Sequence, residues 1–307
     1  MNSTKYWIAL ERVQGIGPAS LRDIYKKISE TGISISDLFE LTTEELKKEF
    51  QFNDKTIAAF GAASSNIQKA EEENVHLIDA GIEVIPFFSK KYPERLHSVL
   101  GNHIPPFLYL YGNSELLSIS GAAILGDNNI SSRGEFIAYN AARELASRNI
   151  NVISGFASGA DLTAHRGALE NGGITSAFLP YGILKLNIPD SIKHVYDPSR
   201  MAAVSIFQPD HVPDIYAAYI RNRVICALSH AVFIVEAPED GGIFEAAKSA
   251  HSLEIPLYTT EYAEYPPTAA GNKKIMSEFG ALPVRGKKVD NLTLPNMDRI
   301  IADIKFK

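Results

Sequence analysis

From Gly81 onward, short runs of β-branched and apolar residues alternate with longer amphipathic stretches. No other feature of the chain restricts its fold as much. Strands are expected over 83–88, 107–111, 122–126, 151–154, 174–179, 203–207, 231–235 and 255–258. Helices are expected over 134–148, 159–170, 214–229 and 242–252. Strands that are apolar along their whole length, separated by helices, predict a mainly parallel sheet covered on both faces. Crossovers in such a sheet are right-handed, and ligands sit at the carboxyl ends of its strands. The stretch 89–106, rich in proline and charge, reads as an extended connector.

The first 75 residues differ. Apolar positions recur at helical spacing, as in Leu38, Leu41 and Leu46 and again in Ile57, Phe60 and Ile67. The chain therefore divides into a small helical domain over 1–75, a sheet domain over 76–285 and a tail over 286–307. The turn Val13-Gln14-Gly15-Ile16-Gly17-Pro18 makes a tight hairpin between two helices. Such a hairpin either offers backbone N–H groups to a DNA phosphate, as in helix-hairpin-helix modules, or simply connects two helices. Basic residues beside it are few, which favours the connector. Length suits two domains, and 45% apolar with 21% charged residues is ordinary globular composition. The N-terminal apolar runs are all broken by charge, so neither a signal peptide nor a membrane span is expected, and a cytoplasmic protein is. The single cysteine, Cys226, excludes an internal disulfide, and the eight histidines show no metal spacing. No metal and no cofactor are expected. At a net charge of −6, any hold on nucleic acid must come from a local patch.

Three strand ends carry glycine-bearing turns. The first runs from Gly126 through Asp127 and Asn128 to Ser131, Ser132 and Arg133. It presents either N–H groups to an anion or an N-capped loop. The second is Ser154-Gly155-Phe156-Ala157-Ser158-Gly159-Ala160-Asp161, whose small residues let a ligand approach the backbone. Asp161 there either caps its helix or faces the ligand. The third, Asp240-Gly241-Gly242 with Glu245 in the following helix, suits a hydroxyl-rich group better than a polyphosphate. Its flanking acids Glu236, Glu239 and Asp240 are the reason. Arg221-Asn222-Arg223 brings cations ahead of an apolar run. Arginines at i and i+2 diverge on a helix, so one is expected to pair internally, with Asp161 or Glu236, and the other to face the cleft.

In order and spacing these motifs resemble the DprA/Smf family of DNA-processing proteins. The matching residues are Tyr92-Pro93 with Leu96, Pro105-Pro106-Phe107-Leu108-Tyr109 with Gly112, and the strand ending at Gly126. They continue with Ser154-Gly155-x-Ala157-x-Gly159-x-Asp161, Ala164-His165-Arg166-Gly167-Ala168-Leu169, Arg221-Asn222-Arg223 with Leu228-Ser229, Val235-Glu236-Ala237 and Gly280-Ala281. They cover roughly 81–283. The resemblance implies a Rossmann-like, doubly wound α/β domain behind a small sterile-alpha-motif-like helical domain. It implies sequence-independent binding of single-stranded DNA, a RecA-type recombinase as partner, a homodimer and no catalytic residue. It carries over Arg221, Asn222 and Arg223 as the family's RNR motif and sets Lys185 near the family's basic loop residue; with the three turns, the candidate binding residues are Gly126, Asn128, Ser154, Gly155, Ser158, Gly159, Asp161, Arg221, Asn222, Arg223, Gly241, Gly242 and Glu245, with Lys185 and Arg133 as reserve candidates. Arg166 is held in reserve. Two family cations are missing: Asp127-Asn128 replaces Ser-Arg after the first glycine, and Ser158 replaces an arginine. Each lost phosphate contact weakens binding and flattens its salt dependence. The winged-helix-like C-terminal domain of many members is not expected here. The Gly241-Gly242-x-x-Glu245 pattern is similar to the wider nucleotide-binding superfamily that includes LOG-type phosphoribohydrolases. The alternative is therefore a nucleotide sensor or N-glycoside hydrolase, with Glu245 on ribose and an arginine on phosphate.

Overall fold

A computed structural model describes residues 3–305, and they form two compact units. The first, Met1–Lys90 with Gly101–Leu108, holds helices α1 Thr4–Glu11, α2 Pro18–Thr31, α3 Ile35–Leu38, α4 Thr43–Lys48, α5 Asp54–Ser64 and α6 Ile67–Asp79, then strand β1 Ile82–Pro86. Local chemistry sets its helix starts. Ser34 with Asp37 and Thr42 with Glu45 form capping boxes, and Asn53 caps α5. Trp7, Ile8, Leu21, Ile24, Leu38 and Leu77 are buried. The Val13–Pro18 turn links α1 to α2, and both arginines flanking it are engaged within the unit. Arg12 pairs with Glu73, and Arg22 Nη1 donates to the Gly101 carbonyl at 3.2 Å.

The second unit, Lys91–Leu100 with Tyr109 onward, holds α7 Glu94–Leu100, the part of β2 Phe107–Gly112 from Tyr109 on, β3 Gly121–Leu125, α8 Ser132–Ala146, β4 Asn151–Ser154, α9 Ala160–Glu170, β5 Thr175–Phe178, α10 Asp190–Lys193 and β6 Met201–Ser205. It continues through α11 Ile215–Leu228, β7 Ala231–Ile234, α12 Gly242–Ser252, β8 Leu257–Thr260, α13 Asn272–Phe279, β9 Leu282–Val284, the hairpin β10 Gly286–Val289 and β11 Leu292–Pro295, and α14 Asp298–Lys305. Its sheet runs β2-β6-β5-β4-β3-β7-β8-β9. Every pair is parallel except β2 with β6, where Tyr109 faces Ser205. Strands β3 to β8 are buried along their whole length, as helices on both faces require. Strand order reverses at β3, with β4 on one side and β7 on the other. This is the doubly wound, mainly parallel arrangement expected, with its switch point between β3 and β7.

Two stretches differ from expectation. Residues 94–100 form a helix, not an extended connector, because Leu96 and Leu100 turn inward together. Residues 286–305 fold as hairpin and helix. Ile300, Ile301 and Ile304 of α14 join one core with Ala122, Ile137, Val152 and Phe233, so this stretch belongs to the sheet domain. Among the described residues no helix is long and apolar enough to cross a membrane.

Candidate nucleic-acid interface

Strand β4 ends at Ser154, and the next six residues turn back into α9. The turn is tightly determined. Gly159 sits at φ +76, and a Cβ there would fall 2.4 Å from the Asp127 carbonyl oxygen. The Gly126 and Gly159 turns thus pack backbone against backbone, and Ala160 N–H donates to the Asp127 carbonyl. No ligand fits between them.

Asp161 does not cap α9. Its carboxylate turns back into the loop, accepting from the Ala157 N–H at 3.3 Å and the Ser154 hydroxyl at 3.1 Å. Arg221 reaches it from α11, Nη1 to Oδ2 3.5 Å, with side chains only 6% and 3% exposed. Gly155 is required by this pair: a Cβ there would lie 1.6 Å from Arg221 Nη1 and 2.1 Å from Asp161 Oδ2. Burial pushes the Asp161 carboxyl up, and Arg221 pulls it back down. The same burial lowers the Arg221 guanidinium against the opposing pull of Asp161. At 3.5 Å the contact is mainly electrostatic. Arg221 Nε and Nη1 have no hydrogen-bond acceptor, and the neighbouring Asn222 Oδ1 has no donor. Asn222 Nδ2 donates to the Gly242 carbonyl at 3.2 Å, tying α11 to the start of α12.

His165 lies beneath the loop, fully buried. Its Nε2 is 2.6 Å from the Gly155 carbonyl and its Nδ1 2.6 Å from the Thr175 hydroxyl. A carbonyl only accepts, so Nε2 carries the hydrogen, while the Thr175 hydroxyl beside Nδ1 donates to the Val152 carbonyl at 2.6 Å. Burial lowers the His165 pKa to about 4, so the ring is neutral and holds the loop as a fixed support.

The switch-point crevice, where such sheets commonly place ligands, is filled by the protein itself. Glu236, fully buried after β7, accepts from Ser131 N–H at 2.8 Å. It also accepts from the hydroxyls of Ser131, Tyr262 and Thr268, each at 2.6 Å. Four donors satisfy this carboxylate without a cation. Arg221 therefore takes Asp161 as its partner, not Glu236.

The remaining expected residues scatter. Asn128, Ser158 and Lys185 are exposed on loops after β3, β4 and β5. Arg223 Nη1 approaches Ser252 Oγ at 3.5 Å. Ser252 ends α12, about 15 Å along the helix from Gly242, so the second arginine does not face the cleft as the divergence argument expected. Arg133 leaves the loop altogether: its guanidinium donates to the Thr293 carbonyl at 3.1 Å and covers the Phe136 ring. Arg166 lies over Tyr139. Glu245 pairs with Lys248 on its own helix at 3.5 Å, which engages the carboxylate that the hydrolase alternative needs. The structure thus joins Ser154, Gly155, Asp161 and Arg221, and separately Asn222 with Gly242. Sequence reasoning missed the Glu236 hub. Its donors Tyr262 and Thr268 lie in a loop with no periodicity, and nothing in the sequence marks them.

The profile of the DNA recombination-mediator protein A family matches residues 83–293. A DNA processing protein DprA of Mycobacterium tuberculosis is 32% identical over 157 residues, 49% of this chain and 40% of the relative, so the match spans well under half of that protein's length. Among solved structures, DNA processing protein A of Streptococcus pneumoniae superposes with a TM-score of 0.71 at 22% identity, covering 92% of this chain and 95% of that one. The DNA processing protein A of Helicobacter pylori, solved to show its single-stranded DNA binding mode, gives 0.56 at 23% identity over 66% of this chain and 90% of its own. These structural identities speak for the fold. The family profile covers most of the chain and includes the turns and the Arg221–Asp161 pair described above, and on that ground the chain belongs to the DNA recombination-mediator protein A family, the DprA/Smf proteins.

Proposed function

We propose that this protein binds single-stranded DNA without sequence preference and acts as a recombination mediator, delivering the strand to a RecA-type recombinase as a cytoplasmic homodimer. The observation that carries the reading is the Ser154–Asp161 loop, held rigid at the carboxyl edge of the sheet by Arg221 and His165 in a chain of this family. A rigid, small-residue loop lets a sugar–phosphate backbone approach closely, and Asn128, Ser158 and Lys185 are exposed on the loops that follow β3, β4 and β5 and would form its rim. In this reading Arg221 positions the loop from below and does not clamp a phosphate. The strand runs over the rim, with Lys185 as its cation. Few cations on that rim mean weak binding that is lost at modest salt. Fluorescence anisotropy with labelled oligothymidine across a salt series tests it. Binding at low ionic strength that falls as salt rises, and that Lys185→Ala weakens, supports the proposal. No binding at low salt refutes it.

A further inference from the structure

Beside the Glu236 hub lies a chamber of about 300 Å³. It sits at the end of β8, between the start of α8 and the β10–β11 hairpin. Ile137, Val284 and Pro295 give it apolar walls, Tyr262 an aromatic side, Thr260 its inner end and Arg133 its mouth. That is the carboxyl end of β8, one strand beyond β7 and the filled switch-point crevice, on the sheet edge where α/β sheets bind ligands.

Two of its polar groups are unspent. Thr260 is 4% exposed, and its hydroxyl has no hydrogen-bond partner. Its neighbours are all engaged: the Thr259 hydroxyl donates to the Ile234 carbonyl, the Thr260 carbonyl accepts from Asn272, and Tyr262 donates to Glu236. A buried hydroxyl without a partner is uncommon and calls for one. Arg133 has five N–H donors, of which one meets the Thr293 carbonyl, and among the described residues no carboxylate pairs with it. Arg285, the other cation at the mouth, is already paired with Glu261. Arg133 is therefore the uncompensated charge there.

These groups describe a ligand with a flat, largely apolar body, a hydrogen-bonding edge at one end and an anion at the other. We propose that the chamber binds a nucleoside monophosphate unit, its base against Tyr262 with an edge on the Thr260 hydroxyl and its phosphate on Arg133. A hydroxyl both donates and accepts, so it takes any base. The unit is supplied either as a free mononucleotide or as one nucleotide of a strand. The site is distinct from the Gly155 loop, and the proposal does not rest on the DNA-binding reading.

The test is isothermal titration of the full chain with each of the four deoxynucleoside 5′-monophosphates. Saturable binding with a Kd below about 1 mM is expected for at least one. Arg133→Gln should weaken it about tenfold through loss of the charge-assisted contact. Thr260→Val should weaken it severalfold while the melting temperature holds or rises, since the hydroxyl has no intramolecular bond to lose. Ala263→Trp, at an exposed position of the lining, should block it without touching the core. Competition by oligothymidine identifies a strand as the source, and simultaneous binding identifies the free nucleotide. No binding up to about 10 mM, which is weaker than any specific site of this kind, overturns the proposal. Equal binding by all three variants does the same. Neither result bears on Lys185 or the Gly155 loop, whose test is the salt series.

Discussion

Replacing Arg221 with methionine would remove the cation while keeping much of its volume, leaving the Asp161 carboxylate buried and unpaired. At 3.5 Å and an effective dielectric of about 20, the lost attraction is about 5 kcal/mol. Breaking a buried pair from one side typically costs about 3–5 kcal/mol. Protonation sets a ceiling. Holding a carboxyl of ordinary pKa 3.8 neutral at pH 7 costs about 4 kcal/mol, so the variant should lose about 3–4 kcal/mol and carry a neutral Asp161. That cost falls by about 1.4 kcal/mol per pH unit as the solution acidifies. The gap between parent and variant should therefore narrow by about 3 kcal/mol between pH 7 and pH 5. Adding Asp161→Asn should recover much of the loss at pH 7. The assay is urea unfolding followed by circular dichroism, because the only tryptophan, Trp7, lies in the helical unit. An Arg221→Met variant as stable as the parent, or a gap independent of pH, would refute the buried-pair argument.

Other consequences are simpler to state. His165, neutral with a pKa of about 4 against an ordinary 6.5, should withdraw about 2 kcal/mol of stability as pH falls from 7 to 5, because the unfolded state binds the proton there and the folded state does not; His165→Gln should flatten that part of the unfolding profile. Gly155→Ala, which drives a methyl into the Arg221–Asp161 contact, should cost about 3 kcal/mol, the upper end of what overpacking typically costs, read as a lower urea midpoint. Ser158→Arg, on the exposed rim, should tighten oligothymidine binding at low salt and steepen its salt dependence by about one phosphate contact; unchanged affinity would take this loop off the strand's path. Arg223→Ala should change neither melting temperature nor strand affinity measurably, since its one hydrogen bond is a 3.5 Å approach to Ser252 at the far end of α12.

Periodicity carried most of the fold. Each expected strand from 83 to 258 has a counterpart displaced by two residues or fewer, because buried strands such as β3 and β7 read as near-continuous apolar runs. The short strands β9, β10 and β11 were not legible. Lys287, Lys288 and Thr293 face solvent, and an exposed hairpin leaves no burial signal. Nor was α14 set apart from a tail, although Ile300, Ile301 and Ile304 carry helical spacing. In the site, the divergence of Arg221 and Arg223 follows from helix geometry, and the sequence offers Asp161 as one of two acidic partners. Which arginine turned inward did not follow, because that depends on how α11 crosses α12. Arg133 was drawn to the loop by its place in the chain. Its actual direction is set by the hairpin, which lies 160 residues further on.

Amide hydrogen exchange with and without oligothymidine at low salt reaches the central claim most directly. Strand binding should slow exchange across 155–161 and 182–186, the loops after β4 and β5, and leave the α1–α6 helices unchanged. Protection confined to residues 3–79, or absent from both loops while the oligomer is bound, would contradict the account.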